Sequence, residues 1–139
     1  MLAKVEITVL CLTALAFAAF GLQWLVDPVS MAKALGIILT NGDATSDARA
    51  IYGGMELGLG AFQIYCAAAP ARRPVGLAAA AMVLTGLGLA RLAGICIAPD
   101  GVSGATHQLL ATDAAGAVLC GAAAIWSRNR RAARATTNH

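Results

Sequence analysis

Four charge-poor apolar runs, Ile7 to Val26, Ala48 to Ala69, Pro74 to Ala98 and Thr106 to Trp126, fill most of this 139-residue chain. Each is close to the roughly 20 residues that carry a helix across the hydrocarbon of a bilayer. A run of that kind has little structural choice, because backbone N–H and C=O groups in lipid must find partners within the segment. With 59% hydrophobic and 12% charged residues, against about a quarter charged in a soluble domain, a water-soluble fold is excluded. The reading is all-α: a four-helix transmembrane bundle of up-down-up-down order. It is expected to form a single domain over residues 1–139, with spans near 7–26, 48–69, 74–98 and 106–126 and a disordered basic tail over 127–139.

Charge placement orients the bundle. Four crossings put Lys4, Arg72, Arg73, Arg128, Arg130, Arg131 and Arg134 on one side and leave Lys33 and Arg49 on the other. The positive-inside rule then assigns both termini to the cytoplasm, in a multi-pass membrane protein. Trp24 and Tyr52 fall near the outer ends of their runs and Tyr65 and Trp126 near the inner ends, as interfacial aromatic belts do. A cleaved leader is the competing reading of the first run, but Glu6 and the unbroken apolar stretch through Val26 favour a retained span.

The connections are short. Asp27 followed by Pro28 reads as an N-cap and first helical residue, and Val29, Ala32, Leu35, Gly36 and Leu39 recur at helical spacing. This predicts a short amphipathic interfacial helix between the first and second spans, followed by a polar turn over Asn41 to Ser46. Pro70 to Pro74 and Pro99 to Ala105 are hairpin-length links. The segments Val26-Asp27-Pro28-Val29-Ser30 and Pro99-Asp100-Gly101-Val102-Ser103 are faintly alike, so an internal repeat of two helix pairs is conceivable.

Three ionisable residues interrupt the apolar runs: Glu56, Arg91 and Asp113. Each lies about seven residues from the outer end of its span, so at about 1.5 Å per residue all three sit roughly 10 Å below the outer surface. Buried charges are costly in lipid unless paired. Arg91 is therefore expected to fork between Glu56 and Asp113. Arg49 and Tyr52 share a helix face with Glu56, and Arg49 or a protonated His107 is a candidate second cation at the periphery. Gly53, Gly54 and Gly58 are candidate close-packing positions. The cluster reads either as a pin that sets helix register or as a ligand- or proton-binding group.

Cys11, Cys66, Cys96 and Cys120 form no metal-type spacing and read as small apolar residues. No nucleophile motif, metal-ligand pattern or phosphate-binding loop is found, so no catalytic, cofactor-binding or metal residue is assigned. The arginine tail lacks the aromatics of a nucleic-acid surface. Its arginines can hold anionic headgroups, and topology signalling alone explains them equally well; the expected partner of the chain is membrane lipid.

The stretch Arg49-Ala50-Ile51-Tyr52-Gly53-Gly54-Met55-Glu56-Leu57-Gly58-Leu59-Gly60, with Gly88-Leu89-Ala90-Arg91-Leu92-Ala93-Gly94 and Asp100-Gly101 after it, resembles a family of small bacterial four-helix membrane proteins, domain of unknown function 4345. The resemblance implies a fold, a membrane location and a marker role for Arg49, Tyr52, Gly53, Gly54, Glu56 and Arg91. It implies no activity. The expected role is a structural or accessory membrane protein, acting with a larger complex or as a homo-oligomer. The alternative is a small carrier or lipid-type ligand binder that uses the Glu56, Arg91, Asp113 cluster.

Overall fold

The computed structural model describes residues 2–137, with side-chain environments for residues 3–133. Helices and no strands make up the regular structure of these residues. Helix α1 (Leu2–Val26) ends at Asp27, whose carboxylate accepts from the Ser30 N–H at 3.1 Å and caps α2 (Pro28–Ala34). Gly36 then turns the chain at φ +71°, and the Ile37 N–H reaches back to the Ala32 carbonyl at 2.8 Å. That bond closes the end of α2 as a left-handed glycine commonly does.

Asn41 caps the next helix through the Ala44 N–H at 2.9 Å, so the segment expected to be a polar turn is instead α3 (Gly42–Ala48). It runs directly into a π-helical turn, Arg49–Gly54, and then α4 (Met55–Ala67). Helices α5 (Arg73–Ile97) and α6 (Gly104–Thr137) complete the chain. The disordered tail expected from Ser127 is corrected: α6 continues through it, Ser127 is fully buried and Arg131 is hydrogen-bonded. Residues 138 and 139 of that tail lie outside the described residues.

Among the described residues three helices are long and apolar enough to cross a membrane: Ala3–Val26, Arg73–Ile97 and Gly104–Ala133. The second expected span is divided at the π turn, which leaves α4 with 13 residues. The helices pack as two pairs, α1 against the π turn and α4, and α5 against α6; the pairs meet through α1 on α5, α4 on α5 and α1 on α6 to similar extents. Their inner core takes two buried residues from each of four helices: Val9 and Leu10, Cys66 and Ala67, Leu77 and Ala80, Cys120 and Ala123. Leu12, Leu15, Met82, Val118 and Ile125 point outward, while Glu6, Gln63, Arg73, Asp113 and Ser127 are buried. In water such an apolar exterior would drive aggregation. A bilayer is the solvent it suits.

Candidate functional site

Arg91 of α5 and Asp113 of α6 meet, with Nε donating to Oδ2 at 2.8 Å. Gly88 packs beside the pair, where a Cβ would make an ordinary contact 3.6 Å from the Asp113 Cβ. The Asp113 side chain is 8% exposed and that of Arg91 27%, so the pair is partly dry. Charge-assisted bonds in such surroundings are stronger than neutral ones.

Glu56 is buried on α4, within electrostatic reach of both Arg91 and Asp113. The fork expected of Arg91 is not formed. Among the described residues Glu56 has neither a hydrogen bond nor an ion pair within 4.0 Å, and the guanidinium is taken by Asp113. Backbone packing fixes this position: a Cβ on Gly21 of α1 would fall 2.9 Å from the Glu56 Cβ and 2.8 Å from the Gly53 carbonyl oxygen. Each helix pair thus sets a glycine of its first helix against the acid of its second.

The peripheral residues do other work. Arg49 Nε donates to the Leu25 carbonyl at 3.1 Å, which satisfies an orphan acceptor at the end of α1. Histidine 107 stands in the first turn of α6, exposed, with Nδ1 3.0 Å from the Ser103 carbonyl oxygen. Neither reaches the carboxylates within 4.0 Å. Tyr52 stacks on Trp24 with ring centroids 4.6 Å apart. Trp24, expected as an interfacial anchor, is instead fully buried between α1, α2 and α3. Of the three expected packing glycines, Gly53 is in tight contact, a Cβ there meeting Leu25 at 2.8 Å; Gly54 meets nothing closer than 3.9 Å and Gly58 nothing within 4 Å.

A second polar cluster, at the other end of the bundle, was not anticipated. Glu6 of α1 is buried and accepts from the Ser127 hydroxyl of α6. Its other oxygen lies 3.7 Å from Arg73 Nη1, and Arg131 Nη2 stands 3.5 Å from the first. Arg73 Nε also donates to the Ala67 carbonyl at 3.1 Å, and Arg131 Nη2 to the Pro70 carbonyl at 2.8 Å. One carboxylate therefore ties α1, α5, α6 and the α4–α5 link together. The available signal was an acid early in an apolar run, at the depth where arginines of other segments gather. Gln63 was missed because it carries no charge: it is fully buried, and neither its amide nitrogen nor its oxygen has a hydrogen-bond partner among the described residues.

Cys66 and Cys120 pack in the inner core while Cys11 and Cys96 face outward. Among the described residues no three His, Cys, Asp or Glu side chains gather as a metal site would require. Cavities of about 330, 350 and 410 Å³ lie beside α2, at the α1–α2 corner and between α1 and α4. A fourth, of about 310 Å³, lies between α5 and α6 near the Glu6 cluster.

No curated protein and no solved structure matches the chain. A family model described as a domain of unknown function, DUF4345, matches residues 6–126, a range that holds Glu6, Glu56, Arg91 and Asp113 but stops short of Ser127 and Arg131. Covering most of the sequence, that match means the chain belongs to the DUF4345 family.

Proposed function

We propose that this protein is a four-pass helical scaffold of a bacterial inner membrane, an accessory component that presents its apolar faces to lipid and to a membrane partner. The π turn and α4 serve as the second crossing, since Arg49 to Ala67 extends about 28 Å, near the roughly 30 Å hydrocarbon thickness. Both termini then lie in the cytoplasm, with α2 and α3 at the outer interface. One observation carries the scaffold reading: buried Glu6, Arg73 and Ser127, joined by the more exposed Arg131, close a polar knot across three helices. Such a knot fixes register rather than offering an opening to a substrate.

Two measurements test this. In a cysteine-free background, a membrane-impermeant maleimide should label Ser103→Cys from outside and spare Asn129→Cys; the reverse pattern overturns the topology. Purification in mild detergent with mass spectrometry of what accompanies the protein should return a membrane partner in fixed ratio. Recovery of a lone monomer sinks the accessory role.

A carrier is the second reading, favoured by Glu56 and Gln63. They stand seven residues apart on the buried face of α4, and neither has a hydrogen-bond partner among the described residues. Buried groups of that kind are costly unless something pairs with them. Proton flux into liposomes, followed with an entrapped pH-sensitive dye and abolished by Glu56→Gln, would favour the carrier over the scaffold.

A further inference from the structure

The groove of about 310 Å³ between α5 and α6 is lined by Pro74, Ala78, Ala124 and Ile125 and ends at Arg128 and Arg131. Ala124, Arg128 and Arg131 recur at i, i+4 and i+7, so one face of α6 passes from apolar to cationic along its length. Arg131 is held in place by the Pro70 carbonyl and by Glu6, while Arg128 is exposed and has no hydrogen-bond or ion-pair partner among the described residues. Within the knot, the single negative charge of Glu6 faces the two guanidiniums of Arg73 and Arg131. One positive charge is left over, beside a second that is free. The volume falls at the small end of ligand sites, enough for part of a hydrocarbon chain.

We propose that this groove binds an anionic glycerophospholipid of the inner leaflet, one acyl chain lying along Pro74, Ala78, Ala124 and Ile125 and its phosphate held by Arg128 with Arg131. Charge complementarity selects the occupant: an apolar floor calls for a chain, and two arginines at its cytoplasmic end call for a phosphate. The inference rests on the membrane reading above and is independent of scaffold or carrier activity.

Ile125 lines the groove and is exposed, so Ile125→Trp in a Trp24→Phe, Trp126→Phe background puts a single fluorescent reporter on the groove itself. In phosphatidylcholine vesicles, brominated phosphatidylglycerol should quench that tryptophan at about fivefold lower mole fraction than brominated phosphatidylcholine, as one arginine–headgroup attraction allows. Arg128→Gln should erase that preference and Ala78→Phe should block it, whereas Lys4→Gln, a charge change away from the groove, should leave it. Native mass spectrometry of the unaltered protein should show one retained phosphatidylglycerol, lost in Arg128→Gln. Equal quenching by the two lipids, or a preference that survives both groove variants, overturns the site. So does displacement by soluble glycerol phosphate, which would make it a phosphate site without a chain, or a change of oligomer mass in Ala78→Phe, which would make the occupant a second copy. Quenching by neither lipid overturns the membrane reading along with the site.

Discussion

The two ends of the bundle solve the same problem in opposite ways. At the end that the proposed topology makes the inner one, a single carboxylate, Glu6, is shared by Arg73, Arg131 and the Ser127 hydroxyl, and positive charge is in excess. At the opposite, outer end of that topology the Arg91 guanidinium bonds to Asp113, while Glu56 has no hydrogen bond or ion pair among the described residues. The inner cluster joins three helices and a turn; the outer bond joins two helices already packed together as a hairpin. Buried ionic groups are retained where every member is satisfied. On the proposed scaffold reading the inner end is the fastening, and Glu56 at the other end is the acid that it leaves unpaired among the described residues.

Removing the central carboxylate should break this contrast most severely. Glu6→Leu leaves two guanidiniums facing an apolar side chain, and about 3–5 kcal/mol of stability should be lost. Glu6→Gln keeps the shape and an acceptor for Ser127, so it should lose less. Thermal unfolding in mild detergent measures both. If Glu6→Leu unfolds at the temperature of the parent, the knot fastens nothing.

Arg91→Leu should cost less, about 1–3 kcal/mol, because its side chain is 27% exposed against 3% for Glu6. It uncovers Asp113, and adding Asp113→Asn with Glu56→Gln should recover part of the loss. A triple variant no more stable than Arg91→Leu would show that the three residues do not share one electrostatic environment. Should the outer variant prove more damaging than Glu6→Leu, the assignment of the fastening end would be reversed.

Why one of these ends was legible in the sequence and the other was not has a physical answer. Helix rise is fixed, so depth can be counted, and counting placed Arg91 level with Asp113. Depth does not reveal facing, and the same count could not show that Asp113 takes the guanidinium and leaves Glu56 aside. At the inner end Arg73 and Arg131 already had an explanation in orientation, which hid their second role as partners of Glu6. Trp24 shows a similar masking: aromatic residues near a span end read as anchors, yet Trp24 points inward onto Tyr52. Tyr52 and Gly53 of the π turn meet Trp24 and Leu25, contacts between segments that no local pattern encodes. The tail was misread for want of a buried anchor, since Ser127 and Arg131 hold it through Glu6, far away in sequence.

Glycine substitutions sharpen the comparison by testing the backbone packing around the acids. A Cβ at Gly21 meets the Gly53 carbonyl oxygen at 2.8 Å, on rigid backbone, so Gly21→Ala should push α1 off α4 beside Glu56 and cost about 1–3 kcal/mol. Gly58→Ala meets nothing within 4 Å and lies inside α4, so it should be neutral or stabilising by up to about 1 kcal/mol. Unfolding midpoints of the two variants in one detergent decide the matter. Equal losses would mean that small residues of α4 act through a neighbouring molecule rather than through the α1 contact.

The smallest effect lies outside the spans, where a carboxylate is in water and its charge can be followed directly. Hydrogen bonds from Ser30, backbone first, hold the Asp27 carboxyl below its ordinary value of 3.8, with a small contribution from the charge of Arg49. A folded-state value below the unfolded one means the ion stabilises the α2 cap fully above the unfolded value. That stabilisation fades as the pH falls through the folded value. In detergent micelles the Ser30 amide resonance should titrate with a midpoint below 3.8, and Asp27→Asn, an equally good cap, should remove the titration while keeping α2 helical. A midpoint at or above 3.8 would mean that Ser30 does not donate to Asp27. The turn from α1 into α2, which brings Ala32 against Trp24, would then need another fastening.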